Sequence, residues 1–210
     1  DEKSMRQTAL MTFLFVLAAH AFCFLNLTFS GASVMLNAAK GADAQVASGV
    51  YLQPFYWRIR GAVSVPILVG LLSALALSLT GAVLSALLGI KRLPLCAMLA
   101  GSLALSPAVL VAFAGSVHTA DALFFAMLLA ACAAALCLRI RVGFMPGALL
   151  LAAAQALDPA AFAFFLGVVF IALIQALSDI DESGRLCALR ALGALLCGLL
   201  GSAVYAGGYI

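Results

Sequence analysis

Long unbroken apolar stretches, separated by short polar or charged connections, dominate this chain, and strict alternation of apolar and polar positions is missing. In a bilayer every backbone N–H and C=O must be satisfied within the chain, which leaves helices or closed barrels. A barrel would show alternating segments of about ten residues. Continuous runs of about 20 apolar residues are instead the mark of membrane-crossing helices. The pattern predicts up to seven hydrophobic helices, over 8–30, 62–90, 95–115, 122–140, 148–157, 160–177 and 186–205. The second is long enough to tilt or to project beyond the bilayer. The third carries Pro107 inside it, which predicts a kink or break near Ser106. The fifth is too short to span alone, so it is either re-entrant or extended by 142–147. The expected fold class is an all-α polytopic transmembrane helical bundle of about six to seven membrane helices, in one membrane domain over 1–210.

Composition sharpens this reading. Hydrophobic residues make up 66% of the chain and charged residues 9%, with a mean hydropathy of +1.22. Roughly a quarter of a soluble domain is charged, and a surface this apolar could not face water. The apolar run after residues 1–7 could be a signal peptide with a small-residue site near 31–33, but its length favours a retained first helix. The chain opens without Met and stops in an apolar stretch, and the expectation is an N-terminal portion of a longer protein.

The net charge of +3 says little about nucleic acid, and none is expected as a partner; the distribution of charge says more. Lys3, Arg6, Lys91, Arg92, Arg139, Arg141, Arg185 and Arg190 fall at one set of alternating helix ends. Lys40, Arg58 and Arg60 fall at the other, eight against three of the 11 basic residues. By the positive-inside rule the first set is cytoplasmic, with the N-terminus inside. Asp43, Asp121, Asp158 and His118 then collect on the outer face, where a site is expected.

The extracytoplasmic loop 31–61 ends in an interfacial segment in which Tyr51, Phe55, Tyr56 and Trp57 are interleaved with Gln53, Arg58 and Arg60. Rings with basic tips suit the headgroup level. They could dock an anionic lipid headgroup, with arginines on phosphate, or simply anchor the second helix at its depth. Asp43 could be a general base, a metal ligand or a solvated loop charge. Asp121 and Asp158 stand where helix-capping carboxylates stand, Asp158 being followed by Pro159. His118 and Asp121 are three residues apart, close enough to share a site on a helical turn. Gln155 and Gln175 are expected to bond neighbouring helices, and Gly70, Gly81 and Gly101 to mark close helix packing. The six cysteines lie in apolar runs with no metal-ligand spacing, so they are read as small buried hydrophobes; no metal and no cofactor is expected.

The run Tyr51-Leu-Gln-Pro-Phe-Tyr-Trp-Arg-Ile-Arg-Gly61, followed from Pro66 by Pro-Ile-Leu-Val-Gly-Leu-Leu, resembles the GtrII-like family of bacterial and phage membrane glucosyltransferases, which modify surface polysaccharides such as O-antigen. The stretch Val117-His-Thr-Ala-Asp121 is similar to the family's aspartate-led fourth helix, and 151–167 to a later one. The resemblance spans most of 9–180 and is distinctive only over 51–70. It implies transfer of a sugar, glucose foremost, from a polyprenyl-phosphate carrier to a cell-surface glycan acceptor, at the outer face of the bacterial plasma (inner) membrane. On that reading Asp43 is the candidate base, with Asp121 the alternative, and Arg58 and Arg60 hold the lipid phosphate. Tyr51, Gln53 and Trp57 line the carrier site, with His118 and Asp121 on its far wall. The chain departs from the family where Ser30-Gly31-Ala32 replaces Ser-His-Asp and where Gly49-Val50 replaces Gly-Arg. The rivals are a non-enzymatic lipid-carrier flippase or transporter and a catalytically degenerate structural subunit.

Overall fold

The computed structural model describes residues 2–26, 49–60, 65–115, 119–140, 142–178 and 184–209. Within them the chain is helical. In chain order the helices are α1 (Glu2–Leu25), α2 (Gln53–Ile59), α3 (Pro66–Leu87), α4 (Leu93–Ala104), α5 (Pro107–Gly115), α6 (Ala120–Arg139), α7 (Phe144–Leu157), α8 (Ala160–Ser178) and α9 (Gly184–Tyr209). Five of them, α1, α3, α6, α8 and α9, are long and apolar enough to cross a membrane, and α4 with α5 makes a sixth if the pair is one broken span. The protein is a helical membrane bundle.

Many large apolar side chains face outward, as lipid allows, while small and hydroxylated residues are frequent at the helix contacts. On α1 the buried residues recur every fourth position, Ser4, Thr8, Thr12, Val16, His20 and Phe24. Thr8 and Thr12 donate to the carbonyls one turn earlier, at 2.9 and 2.8 Å, so neither hydroxyl is stranded. Leu10, Leu14 and Phe22 look out. This stripe meets α3 where that helix has glycine. A Cβ on Gly81 would come within 2.7 Å of Thr12 Oγ1, and the Phe24 ring occupies the space a Gly70 side chain would need. Gly101 is less confined, with only the Phe15 ring nearby.

The core has two parts. Around α1, α3, α4 and α5 it is aromatic, with Phe24, Phe113 and Phe124 in contact and the His20 ring stacked on Phe113 at a centroid separation of 4.5 Å. Around α6, α7 and α9 it is built from small residues, with Ala126, Ala130, Ala131, Ala133 and Ala134 fully buried. A Cβ on Gly147 would meet the Ala133 carbonyl at 3.1 Å, and one on Gly201 the Ala148 carbonyl at the same distance, so backbones nearly touch. Cys96, Cys137, Cys187 and Cys197 are buried in these layers, as small hydrophobes would be.

The expected break at Pro107 is present: α4 stops at Ala104, α5 starts at Pro107, and the two axes differ by 42°. The break frees the Ala104 carbonyl, and His20 Nε2 of α1 donates to it at 2.8 Å. The short seventh helix begins at Phe144 rather than at 148. Its start packs beside Leu136 of α6, and at its far end the Ala156 carbonyl meets Leu52, so it runs from one end of the bundle to the other. At 14 residues its length is about 21 Å, less than a hydrocarbon core of ~30 Å.

The two ends differ. One carries the starts of α1, α4, α7 and α9 and the ends of α3, α6 and α8, with Lys3, Arg6, Lys91, Arg92, Arg139, Arg185 and Arg190. The other carries segment 49–60 and the starts of α3, α6 and α8. They are called the basic end and the aromatic end below.

Candidate functional site at the aromatic end

Segment 49–60 lies as a strap across three helix ends. Gly49, at φ +91°, makes the entry turn, and Tyr205 of α9 occupies the space a side chain there would take. The Tyr205 hydroxyl donates to the Gly49 carbonyl and the Tyr51 hydroxyl to the Tyr205 carbonyl, each at 3.2 Å, with the two rings stacked. Leu52 N–H then donates to the Ala156 carbonyl, one of the orphan acceptors at the end of α7, at 3.0 Å. Pro54, which lacks an N–H, sits in the first turn of α2, where no donor is needed.

The far side of α2 reaches α6. Arg60 Nη1 and the Tyr56 hydroxyl both donate to Asp121 Oδ2, at 2.6 and 2.9 Å. The Arg60 side chain is 6% exposed and that of Asp121 is wholly buried, so the pair is desolvated as well as close. Such a pair survives because each charge cancels the other, and Tyr56 adds a further hydrogen bond to the same carboxylate oxygen. The first turn of α6 adds its positive end to the carboxylate. Asp121 Oδ1 has no hydrogen-bond partner among the described residues. Burial first, and the neighbouring Asp121 charge second, push the Tyr56 phenol well above its ordinary range, so Tyr56 stays a donor.

The cluster heads a cavity of about 290 Å³ between α3 and α6, walled by Leu72, Leu75, Leu79, Phe125 and Leu128. Leu75 and Leu79 are half exposed on the outer surface, so the cavity opens sideways, towards where lipid would be. A polar head on a lateral apolar groove can take an amphipathic molecule lengthwise.

The structure separates residues that the sequence grouped. Arg60 is buried on Asp121, whereas Arg58 is exposed and makes no hydrogen bond or ion pair among the described residues. The two arginines are therefore not one clamp. Tyr51 turns to α9 and Gln53 is buried, while Trp57 is half-buried with its indole N–H unpartnered among the described residues. Asp121 does not cap α6: Thr119 holds the cap position and makes no side-chain capping bond, because the Asp121 carboxylate is turned to Arg60 and Tyr56. Asp158 does cap, accepting from the Ala160 N–H at 2.9 Å; its carboxyl is pushed up by burial, an effect that this bond opposes. Asp43, His118, Lys40 and residues 30–32 lie outside the described residues. Gln175 donates to the Leu88 carbonyl at 2.9 Å, and Gln155 faces Ser202 of α9. Sequence reasoning named Tyr56 as a ring of the interfacial segment but not as a partner of Asp121, and it passed over His20.

Comparison with protein-family models, with curated proteins and with solved structures finds no match to this chain.

Proposed function

We propose that the chain is a membrane glycosyltransferase-like protein that draws a polyprenyl-phosphate-linked sugar, glucose by the family resemblance, from the bilayer and passes it to a cell-surface glycan. The setting proposed is the bacterial plasma membrane, with the basic end cytoplasmic and the aromatic end outside. The observation that carries this reading is a buried Asp–Arg–Tyr cluster at the head of a groove open to lipid. The isoprenoid would lie along Leu75, Leu79 and Phe125, and exposed Arg58 would meet the phosphate at the interface. An acceptor hydroxyl would approach Asp121 Oδ1, the oxygen with capacity to spare. In transfer the bond between the sugar's anomeric carbon and the phosphate oxygen breaks as the acceptor oxygen bonds to that carbon. The acceptor proton passes to the carboxylate, Asp121 or Asp43, and polyprenyl phosphate leaves with the bonding electrons.

A second reading is favoured by the closure of the Arg60–Asp121 pair: a structural membrane subunit in which the cluster latches α2 to α6. The two are separated by incubating membranes containing the protein with labelled polyprenyl-phosphate glucose and a glycan acceptor. Transfer by the parent protein that disappears in Arg58→Ala, with insertion unchanged, supports the transferase. No transfer from any of several sugar donors, in well-inserted parent protein, overturns it and leaves the latch.

A further inference from the structure

The basic end holds a second site, independent of the reading above. The orphan carbonyls at the end of α3 are taken by side chains from other helices. Arg139 of α6 donates through Nη2 to the Ala86 and Leu87 carbonyls, and Gln175 of α8 donates to Leu88. Gly89, at φ +62°, then turns the chain away, with open space where a side chain would stand. This arrangement leaves a cup of about 380 Å³ whose charged lining is Arg139 and Arg190, the latter already engaged by a neighbour through some of its guanidinium donors. Arg139 is exposed, and its Nε and Nη1 groups make no bond among the described residues. The cup shares Leu88, Gly89 and Gln175 with a neighbouring trough of about 520 Å³. That trough is walled by Leu95, Ile171 and Ile174, with Lys91 and Arg92 at its rim.

An arginine-lined cup continuous with an apolar trough has the two-part chemistry of a phospholipid. We infer that this end binds one anionic phospholipid, with the headgroup phosphate on Arg139 and Arg190 and an acyl chain between Leu95 and Ile174. A small soluble anion would use the cup alone and leave the trough idle, which is why the occupant is a lipid. Basic pockets between helices at a cytoplasmic face are suited to such headgroups.

Native mass spectrometry of the purified protein tests this, with dioleoyl phosphatidylglycerol, dioleoyl phosphatidylcholine and glycerol phosphate as the added probes. Phosphatidylglycerol should be retained about tenfold or more over phosphatidylcholine. Arg190→Gln should cut retention about fivefold, as one surface charge does. Ile174→Ser should weaken it without abolishing the preference for the anionic lipid. Arg139→Gln should weaken it too, but it also uncaps α3, so Arg190→Gln and Ile174→Ser carry the test. Equal retention of the two lipids overturns the proposal. So does displacement of phosphatidylglycerol by equimolar glycerol phosphate, which would make the cup a soluble-anion site, and so does unaltered retention in folded Arg190→Gln.

Discussion

Arg60 and Arg139 stand at opposite ends of the same bundle, and each links two helices that are distant in sequence. Arg60 is buried and answers a full negative charge, Asp121. Arg139 is exposed and, among the described residues, answers carbonyl dipoles at the end of α3. The contrast follows from solvation. A guanidinium withdrawn from water needs a counter-ion to offset its desolvation, whereas one left at the rim keeps its hydration and can settle on a helix terminus. The cluster at the aromatic end is thus charge-compensated and buried, whereas Arg139 at the basic end keeps its exposure to solvent.

The sharpest way to break this contrast is Asp121→Asn, which strands a buried guanidinium. It should cost about 3–5 kcal/mol, read as a loss of thermal stability in detergent. Asp121→Asn combined with Arg60→Met should recover much of that loss. A single-variant loss below about 1 kcal/mol would mean that water reaches the pair. Tyr56→Phe comes next, removing a bond to a charged acceptor worth about 1.5–3 kcal/mol. Because the phenol is raised above its usual 10.0, that bond contributes fully below pH 10 and is lost as pH climbs through the higher folded-state value. The parent should therefore lose stability with rising alkalinity more steeply than Tyr56→Phe, and equal slopes would place the titration elsewhere. Arg139→Gln should cost only about 0.3–1 kcal/mol and should soften with added salt at most slightly, since its partners are carbonyls. Arg58→Ala should change stability by less than about 0.5 kcal/mol while removing glycosyl transfer, and a large stability loss there would show a hidden packing role.

Much of the fold could be read from the chain because lipid imposes a simple rule on composition. The helix boundaries came within a few residues, and Pro107 announced the broken span. The first helix was drawn too late, at 8, because charge was taken as its limit; Glu2 and Arg6 continue it and pair at 2.6 Å one turn apart. The strap's aromatic character was legible as well, but its partners were not. Asp121 lies 61 residues from Arg60, and its place in a first helical turn matched a cap so well that no distant partner was sought. The parting of Arg58 from Arg60 was available in principle, since residues two apart on a helix face different ways. His20 could have been found too, as the fifth member of the stripe Ser4, Thr8, Thr12, Val16, His20 and Phe24, spaced four residues apart.

That histidine ties the bundle's assembly to the order of synthesis. α1 leaves the ribosome before α4, and the Ala104 carbonyl that His20 serves comes 84 residues later. Until α4 arrives, α1 carries a polar ring within an apolar span; until α1 is in place, α4 cannot break at Leu105 without baring a carbonyl to lipid. Each helix supplies what the other lacks. The bend at Pro107 is therefore completed between helices, and a chain deprived of α1 would have to straighten that span, hydrate it or leave it outside the membrane.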